Sequence, residues 1–400
     1  MKISFVQLPL IGFFACEFIY PFLSYLTNTS FANLCCDLVV ILLLILVSLD
    51  NFNKIKFTPW VIVFICLGLF YVTGRMMPQY HDVMYSTYNI WDMVFSPRKG
   101  IIILVLISLI NDPKEIFGAL RISAIFVWLA YTLRSLSGVG LSELNGSNHA
   151  YGYGFLFVTI VYTIVFLKEH KLIYLSIIAV SFFQVILYAS RTAFISYMVF
   201  WVLYLLFYEN DKNLRLKKTL YVIGGFFLVL ILTSNFFVNL FSDLVEEMGI
   251  SSKIIDAFIS GENQLDGGRE RTYLLASTLL KENPWGLGVF WDRFYCEYGY
   301  VHNFFYEVMI DFGWLVGGTL LLVLVRNIIL ILKSDDKQWK ILFMLFFSLS
   351  MIRLTLSYSF WYDTNFWAMI AILLGYRYSL KEKKKNEKIV QKGGKIRNVK

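Results

Sequence analysis

The strongest constraint on this chain is repetition: apolar runs long enough to cross a bilayer return along most of its length. A membrane helix needs about 20 mostly apolar residues. Runs near 5–25, 32–49, 58–75, 99–111, 115–136, 150–167, 172–189, 192–208, 219–238, 309–332, 341–358 and 361–378 are separated by charge or turn residues. Hydrocarbon cannot solvate irregular backbone, so such segments fold as helices. With 58% hydrophobic and 16% charged residues in 400, there is too little polar surface for a soluble domain of this size. The expectation is an all-α polytopic membrane protein of about 12 transmembrane helices, with the fourth run the shortest.

Residues 1–238 are expected to supply helices 1 to 9, 239–308 a large, partly helical extracytoplasmic loop, 309–378 helices 10 to 12, and 379–400 a basic tail. Lys2 opens the first run without a small-residue cleavage site after it, so that run is read as a retained span. Lys54, Lys56, Lys114, Lys168, Lys171, the cluster from Lys212 to Lys218, Lys333, Lys337, Lys340 and the tail fall on one side when the runs alternate. By the positive-inside rule both termini are cytoplasmic. Residues 75–98, 137–149, Ser190–Arg191, 239–301 and a turn near Trp361 then face outward.

The formal charge of +8 is misleading until it is mapped. Nine Lys and Arg between Lys381 and Lys400 stand against Glu382 and Glu387. That tail is read as a solvated, disordered end facing anionic lipid headgroups. The rest of the chain is nearly neutral, which argues against nucleic acid. Among the five cysteines only Cys296 lies in the long loop, so no disulfide can close that loop on itself. No His, Cys or Asp cluster has ligand spacing, and no metal is expected. Gly152-Tyr-Gly154 follows no strand, so it makes a poor nucleotide motif.

The long loop holds ten acids and five bases, against which Arg269 and Arg271 stand out. Tyr273, Ala276 and Leu280 give residues 269–282 helical spacing, and Asn283-Pro284 stops the helix. Two arginines in a first turn oppose the helix dipole. A helix N-terminus with guanidinium forks suits a phosphate or pyrophosphate; pairing with Asp266 and Glu270 is the equal alternative. Arg191 stands between two apolar runs with almost no loop, at the membrane edge or in a cavity. An ionisable residue there points to function, and snorkelling to the interface is the other reading. His302 opens the last outer stretch. If the helix included it, His302, Tyr306 and Met309 would share one face, with Asn303, Glu307 and Asp311 on the next. A lone histidine is more often structural, but orienting neighbours favour a proton-accepting role. Glu17, Asp37, Arg121 and Arg353 are further ionisable residues within apolar runs.

Four stretches in this order resemble the bacterial O-antigen polymerase and O-antigen ligase superfamily. They are Ser190-Arg191-Thr-Ala, Gly268-Arg269 with an aromatic four residues on, Glu282-Asn-Pro-Trp-Gly-Leu-Gly288, and His302-Asn303 followed by Glu307 and Gly313. The resemblance covers roughly residues 145 to 320. It implies a GT-C-like membrane glycosyltransferase that uses neither cofactor nor metal. The implied substrates are undecaprenyl-pyrophosphate-linked glycans, with membrane lipids around the protein and a chain-length regulator as a candidate partner. By motif match Arg191 and Arg269, with Arg271 beside them, bind pyrophosphate. His302 is catalytic or substrate-orienting; since the acceptor hydroxyl must lose a proton, Glu307 or Asp292 is the substitute base. Trp285, Trp291 and Asn303 are expected on the sugar side. The implied location is the bacterial inner membrane, with the site facing outward. The implied reaction is polymerisation of repeat units, the runner-up is transfer of finished glycan to lipid A-core, and a lipid-linked sugar flippase is the rival from another class.

Overall fold

The computed structural model describes residues 3–27, 29–50, 56–76, 90–136, 148–188, 191–208, 269–296, 300–356 and 358–397. The apolar run at 219–238 and loop residues 239–268 lie outside them. So do the whole of His81 and Tyr298 and the side chains of Glu17, Arg191 and Arg269.

The described residues form helices and connections only. These are α1 (Leu8–Leu26), α2 (Thr29–Asp50), α3 (Phe57–Met76), α4 (Ile90–Phe95), α5 (Ile102–Ser108), α6 (Pro113–Leu136) and α7 (Asn148–Glu169). They continue with α8 (Leu172–Tyr188), α9 (Arg191–Leu203, extended by a π turn over Tyr204–Tyr208), α10 (Arg269–Glu282), α11 (Asp292–Tyr295), α12 (Phe304–Leu332), α13 (Lys337–Leu356) and α14 (Thr364–Arg397). Thr29–Asp50, Pro113–Leu133, Gly152–Glu169, Phe304–Leu332 and Lys337–Leu356 are each long and apolar enough to cross a bilayer. Shorter apolar helices accompany them at Phe5–Cys16, Phe57–Thr73, Leu172–Val185 and Thr192–Tyr208. This is the architecture of a membrane-embedded helical protein.

Short polar residues set the helix starts. The Asp112 carboxylate accepts from Lys114 N at 2.8 Å ahead of Pro113. Asp363 accepts from Phe366 N at 2.9 Å, and the Asn303 side chain from Phe305 N and Tyr306 N at 3.0 and 3.3 Å. Each satisfies donors that have no partner within the helix.

Two expectations change. The fourth run, 99–111, holds only the seven-residue α5, and a further short helix, α4, forms in residues expected as an outer connection, with Ser96–Ile101 joining the two. Gly100 has φ 52°, and a Cβ there would meet the Val94 carbonyl oxygen at 2.2 Å, so the sharp return requires glycine. The basic tail, expected to be irregular, continues α14 as far as Arg397. Lysine and glutamate are good helix formers, and the preceding span supplies the costly nucleus.

The direction of packing fixes which helix ends meet. Gln7 Nε2 donates to Glu115 O at 2.7 Å, so α1 and α6 start at the same end of the bundle. Lys340 Nζ donates to Phe207 O at 2.9 Å, so α9 finishes where α13 starts. Arg191, which opens α9, therefore belongs to the end where α13 turns into α14. Phe70 of α3 ties this end together, its ring 5.7, 5.0, 4.8 and 5.2 Å from those of Trp91, Phe95, Phe290 and Trp361.

Candidate functional site

The helix expected from Tyr273, Ala276 and Leu280 forms as α10, and those residues pack with Val301, Tyr306 and Ile310. The Tyr273 ring stacks on Tyr306 at 5.6 Å, and Trp314 Nε1 donates to Leu280 O at 3.4 Å. Position 273 thus pairs with 306, and 280 with 314, so α10 and α12 run parallel. Their first turns lie level. The backbone at Arg269 and Arg271 comes to the same end as His302 and Asn303, with the Arg271 side chain exposed.

The connection after α10 is pinned into a break in α12. Gly313 has φ 73° inside that helix, which leaves the backbone groups of Ile310 and Trp314 unable to pair with each other. The connection takes both: Leu287 N donates to Ile310 O at 2.7 Å, and Trp314 N donates to Pro284 O at 2.9 Å. The two strands of backbone approach so closely that a Cβ on Gly286 would meet Gly313 N at 2.4 Å, and one on Gly313 would meet the Trp285 carbonyl carbon at 2.3 Å. Two motifs about 30 residues apart in sequence are therefore halves of one joint. The joint leaves Trp285 80% exposed.

Beside the joint a charged cluster is sealed from solvent. Arg293 bonds to Asp292 through one guanidinium nitrogen. Through the other it reaches Glu307 at 2.7 Å and Ser359 at 2.8 Å. The Ser359 hydroxyl donates to the same Glu307 oxygen at 2.5 Å, and Phe360 N to the other at 3.2 Å. Asp292 also accepts from Val301 N at 3.1 Å. Asp311 accepts from Phe290 N at 3.2 Å and Trp361 Nε1 at 2.7 Å. Burial alone would pull the Arg293 guanidinium down, but Asp292, Tyr362 and Glu307 facing it hold it well above its ordinary value. Burial, reinforced by Asp292, pushes the Cys296 thiol up to about 12.

Glu307 is thus a buried acceptor engaged by three donors, and its contacts hold the 358–363 turn against α12. His302 lies just outside the helix, because Asn303 occupies the cap position. It takes the left-handed backbone at φ 54°, as does Phe290 at φ 64°. His170, in the turn after α7, takes the same region at φ 55°, and histidine enters it more readily than most side chains, so Phe290 is the more unusual case. The half-buried imidazole packs on Tyr300 with ring centroids 3.9 Å apart. Trp291 is partly buried and stacks on Tyr295 at 6.2 Å, while Phe290 is fully buried. The structure therefore brings His302, Asn303, Glu307 and Arg271 with the start of α10 to one end of the bundle, to which Arg191 also belongs, and places Trp285 past the other end of α10, at the joint with Gly313.

Sequence reasoning did not identify Arg293, Ser359 or Arg98 as parts of one region. Arg98, in the connection between α4 and α5, bonds Asp37 at 2.7 Å and Asn33 at 2.6 Å. Arg353 lies over the rings of Tyr358 and Tyr153, 3.6 and 4.4 Å from their centroids. Both line a cavity of about 380 Å³, together with Lys99 and Tyr362. Asp37 and Arg353 were visible as ionisable residues in apolar runs, a signal that carries no information about partners 61 residues away. No family model, no curated protein and no solved structure matches the chain.

Proposed function

We propose that the chain is a membrane glycosyltransferase that polymerises undecaprenyl-pyrophosphate-linked oligosaccharide repeat units into O-antigen or capsular polysaccharide, releasing undecaprenyl pyrophosphate. The observation that carries this reading is the joint at Gly313. It makes one body of the stretch 282–288 and the stretch that follows His302-Asn303, with His302 at its rim and the cavity close by.

In the proposed reaction an acceptor hydroxyl attacks the sugar carbon bonded to the lipid pyrophosphate. A new C–O bond forms with inversion, the bond to the pyrophosphate oxygen breaks, and the lipid pyrophosphate leaves. His302 takes the hydroxyl proton, as a neutral imidazole can near neutral pH. Arg191, Arg269 and Arg271 stabilise charge on the leaving group. Glu307 acts through Arg293 as a positioning residue, and Trp285, Trp291 and Asn303 receive the sugars. The site faces away from the cytoplasm of a bacterial inner membrane, with both termini inside.

Disruption of the coding sequence tests this directly. Loss of a polymerase leaves surface lipid bearing a single repeat. Complete loss of surface glycan identifies the ligase activity instead. Unchanged chain length and yield in Arg269→Ala and His302→Ala strains would remove the enzyme reading and favour a transporter.

A further inference from the structure

We infer that the cavity of about 380 Å³ binds the phosphate-bearing end of a lipid-like amphiphile. Its wall is two-sided. Phe13, Phe14, Val127 and Phe157 form an apolar part, while Arg98, Lys99 and Arg353 supply cations and, among the described residues, no acid lines it. The acids that balance those cations are Asp37, Asp92 and Asp363. None of the three is a lining residue. The surface offered to a ligand is therefore positive, although the region as a whole is close to neutral.

Cations at membrane depth are costly and mark ligand paths or paired sites. Pairing accounts for their charge, but it does not explain why three cations should face the same hollow. The connection at Ser96–Ile101 presents Arg98 and Lys99 there, and the start of α14 adds Thr364 and Asn365. The volume lies in the range of small-molecule pockets. It holds a phosphate or diphosphate headgroup with the first carbons of a chain, and the remainder of the chain must leave toward the bilayer.

The phosphate can come from a polyprenyl carrier or from a bilayer phospholipid. The carrier would link this site to the reaction proposed above, because Tyr362 lines the cavity and its ring also faces Arg293, 5.7 Å away. Only the choice between these sources rests on that reading.

The test uses the full chain in phosphatidylcholine nanodiscs, titrated separately with farnesyl diphosphate, short-chain phosphatidylglycerol and inorganic pyrophosphate. The neutral double variant Asp37→Asn/Arg98→Gln avoids a stranded buried charge. Lys99→Gln, at a half-exposed side chain, provides a second variant less prone to misfolding. Saturable binding of farnesyl diphosphate, weakened about tenfold or more by either variant, supports the polyprenyl source. The same result with phosphatidylglycerol supports the phospholipid source. Neither amphiphile binding, binding unaltered in both folded variants, or pyrophosphate binding as tightly as farnesyl diphosphate would overturn the inference. Variant-sensitive binding in a protein whose His302→Ala form still builds full-length glycan would leave the cavity inference standing and defeat the enzyme reading.

Discussion

Two arginine clusters in this protein use the same chemistry in different surroundings. At the end where α13 turns into α14, expected from the lysine distribution to be the outer one, Arg293 meets Asp292 and Glu307 with side-chain exposures of 5, 0 and 2%. At the opposite end, Arg121 meets Glu169 and Tyr174, and the charged pair is 28 and 30% exposed. Ion pairs reached by water contribute little, because water competes for both partners. A dry pair is costly to assemble and far more costly to leave half-made. The inner cluster therefore tethers a helix end on the lysine-rich side of the bundle. The outer cluster locks the 358–363 turn, α11 and α12 into one geometry, and the candidate site is built on that body.

Chemical accessibility should give the largest contrast. Cys296 lies beside Asp292 and has its thiol pushed up to about 12. At pH 8 about one molecule in 10⁴ carries the reactive thiolate, so alkylation in the folded protein should run about three orders of magnitude slower than for a free cysteine. The rate should rise about tenfold per pH unit toward that value. Fast labelling of Cys296 by iodoacetamide at pH 8, followed by mass spectrometry, would mean that the outer cluster is wet.

Next in size is Arg293→Ala, which strands two buried acids and should cost about 3–5 kcal/mol in detergent unfolding experiments. A loss below about 1 kcal/mol would erase the distinction between the clusters. Gly313→Ala should follow, with about 1–3 kcal/mol from a backbone region, φ 73° and ψ 176°, that is almost glycine's alone, and more from contact with Trp285. Gly318, whose added Cβ would meet nothing nearer than Met309 Cε at 4.0 Å, supplies the control: Gly318→Ala should melt close to the parent. Smallest of all, Arg121→Ala should cost under about 1 kcal/mol. A larger loss would show that the inner cluster is structural in the same sense as the outer one.

Much of the scaffold was legible because it follows from local periodicity. The spacing of Tyr273, Ala276 and Leu280, with Asn283-Pro284 behind it, is enough to define α10. The apolar runs likewise give the helical, membrane-embedded body. What escaped was relational. Whether Gly313 breaks α12 depends on Pro284 and Leu287 arriving to take its backbone groups. The connection at Ser96–Ile101 depends on Asp37 and Asn33 waiting on another helix to receive Arg98. His302 was expected on the helix face because helical spacing says nothing about which residue caps. Asn303 is the better cap and excludes it. The roles expected for Arg191 and Arg269 depend on side-chain positions outside the described residues, so only their backbone place, at the end where α13 turns into α14, can be read.

The central claim is that His302, held at the rim of this rigid body, carries chemistry and not stability. Its most direct test is the length distribution of surface glycan in a disruptant complemented with His302→Ala, measured beside the unfolding temperature of the purified variant. The account predicts an unshifted unfolding temperature and a collapse to single repeats, with polymerisation reduced about 10²–10⁴-fold. A wild-type ladder of chain lengths from a normally folded His302→Ala protein would contradict it.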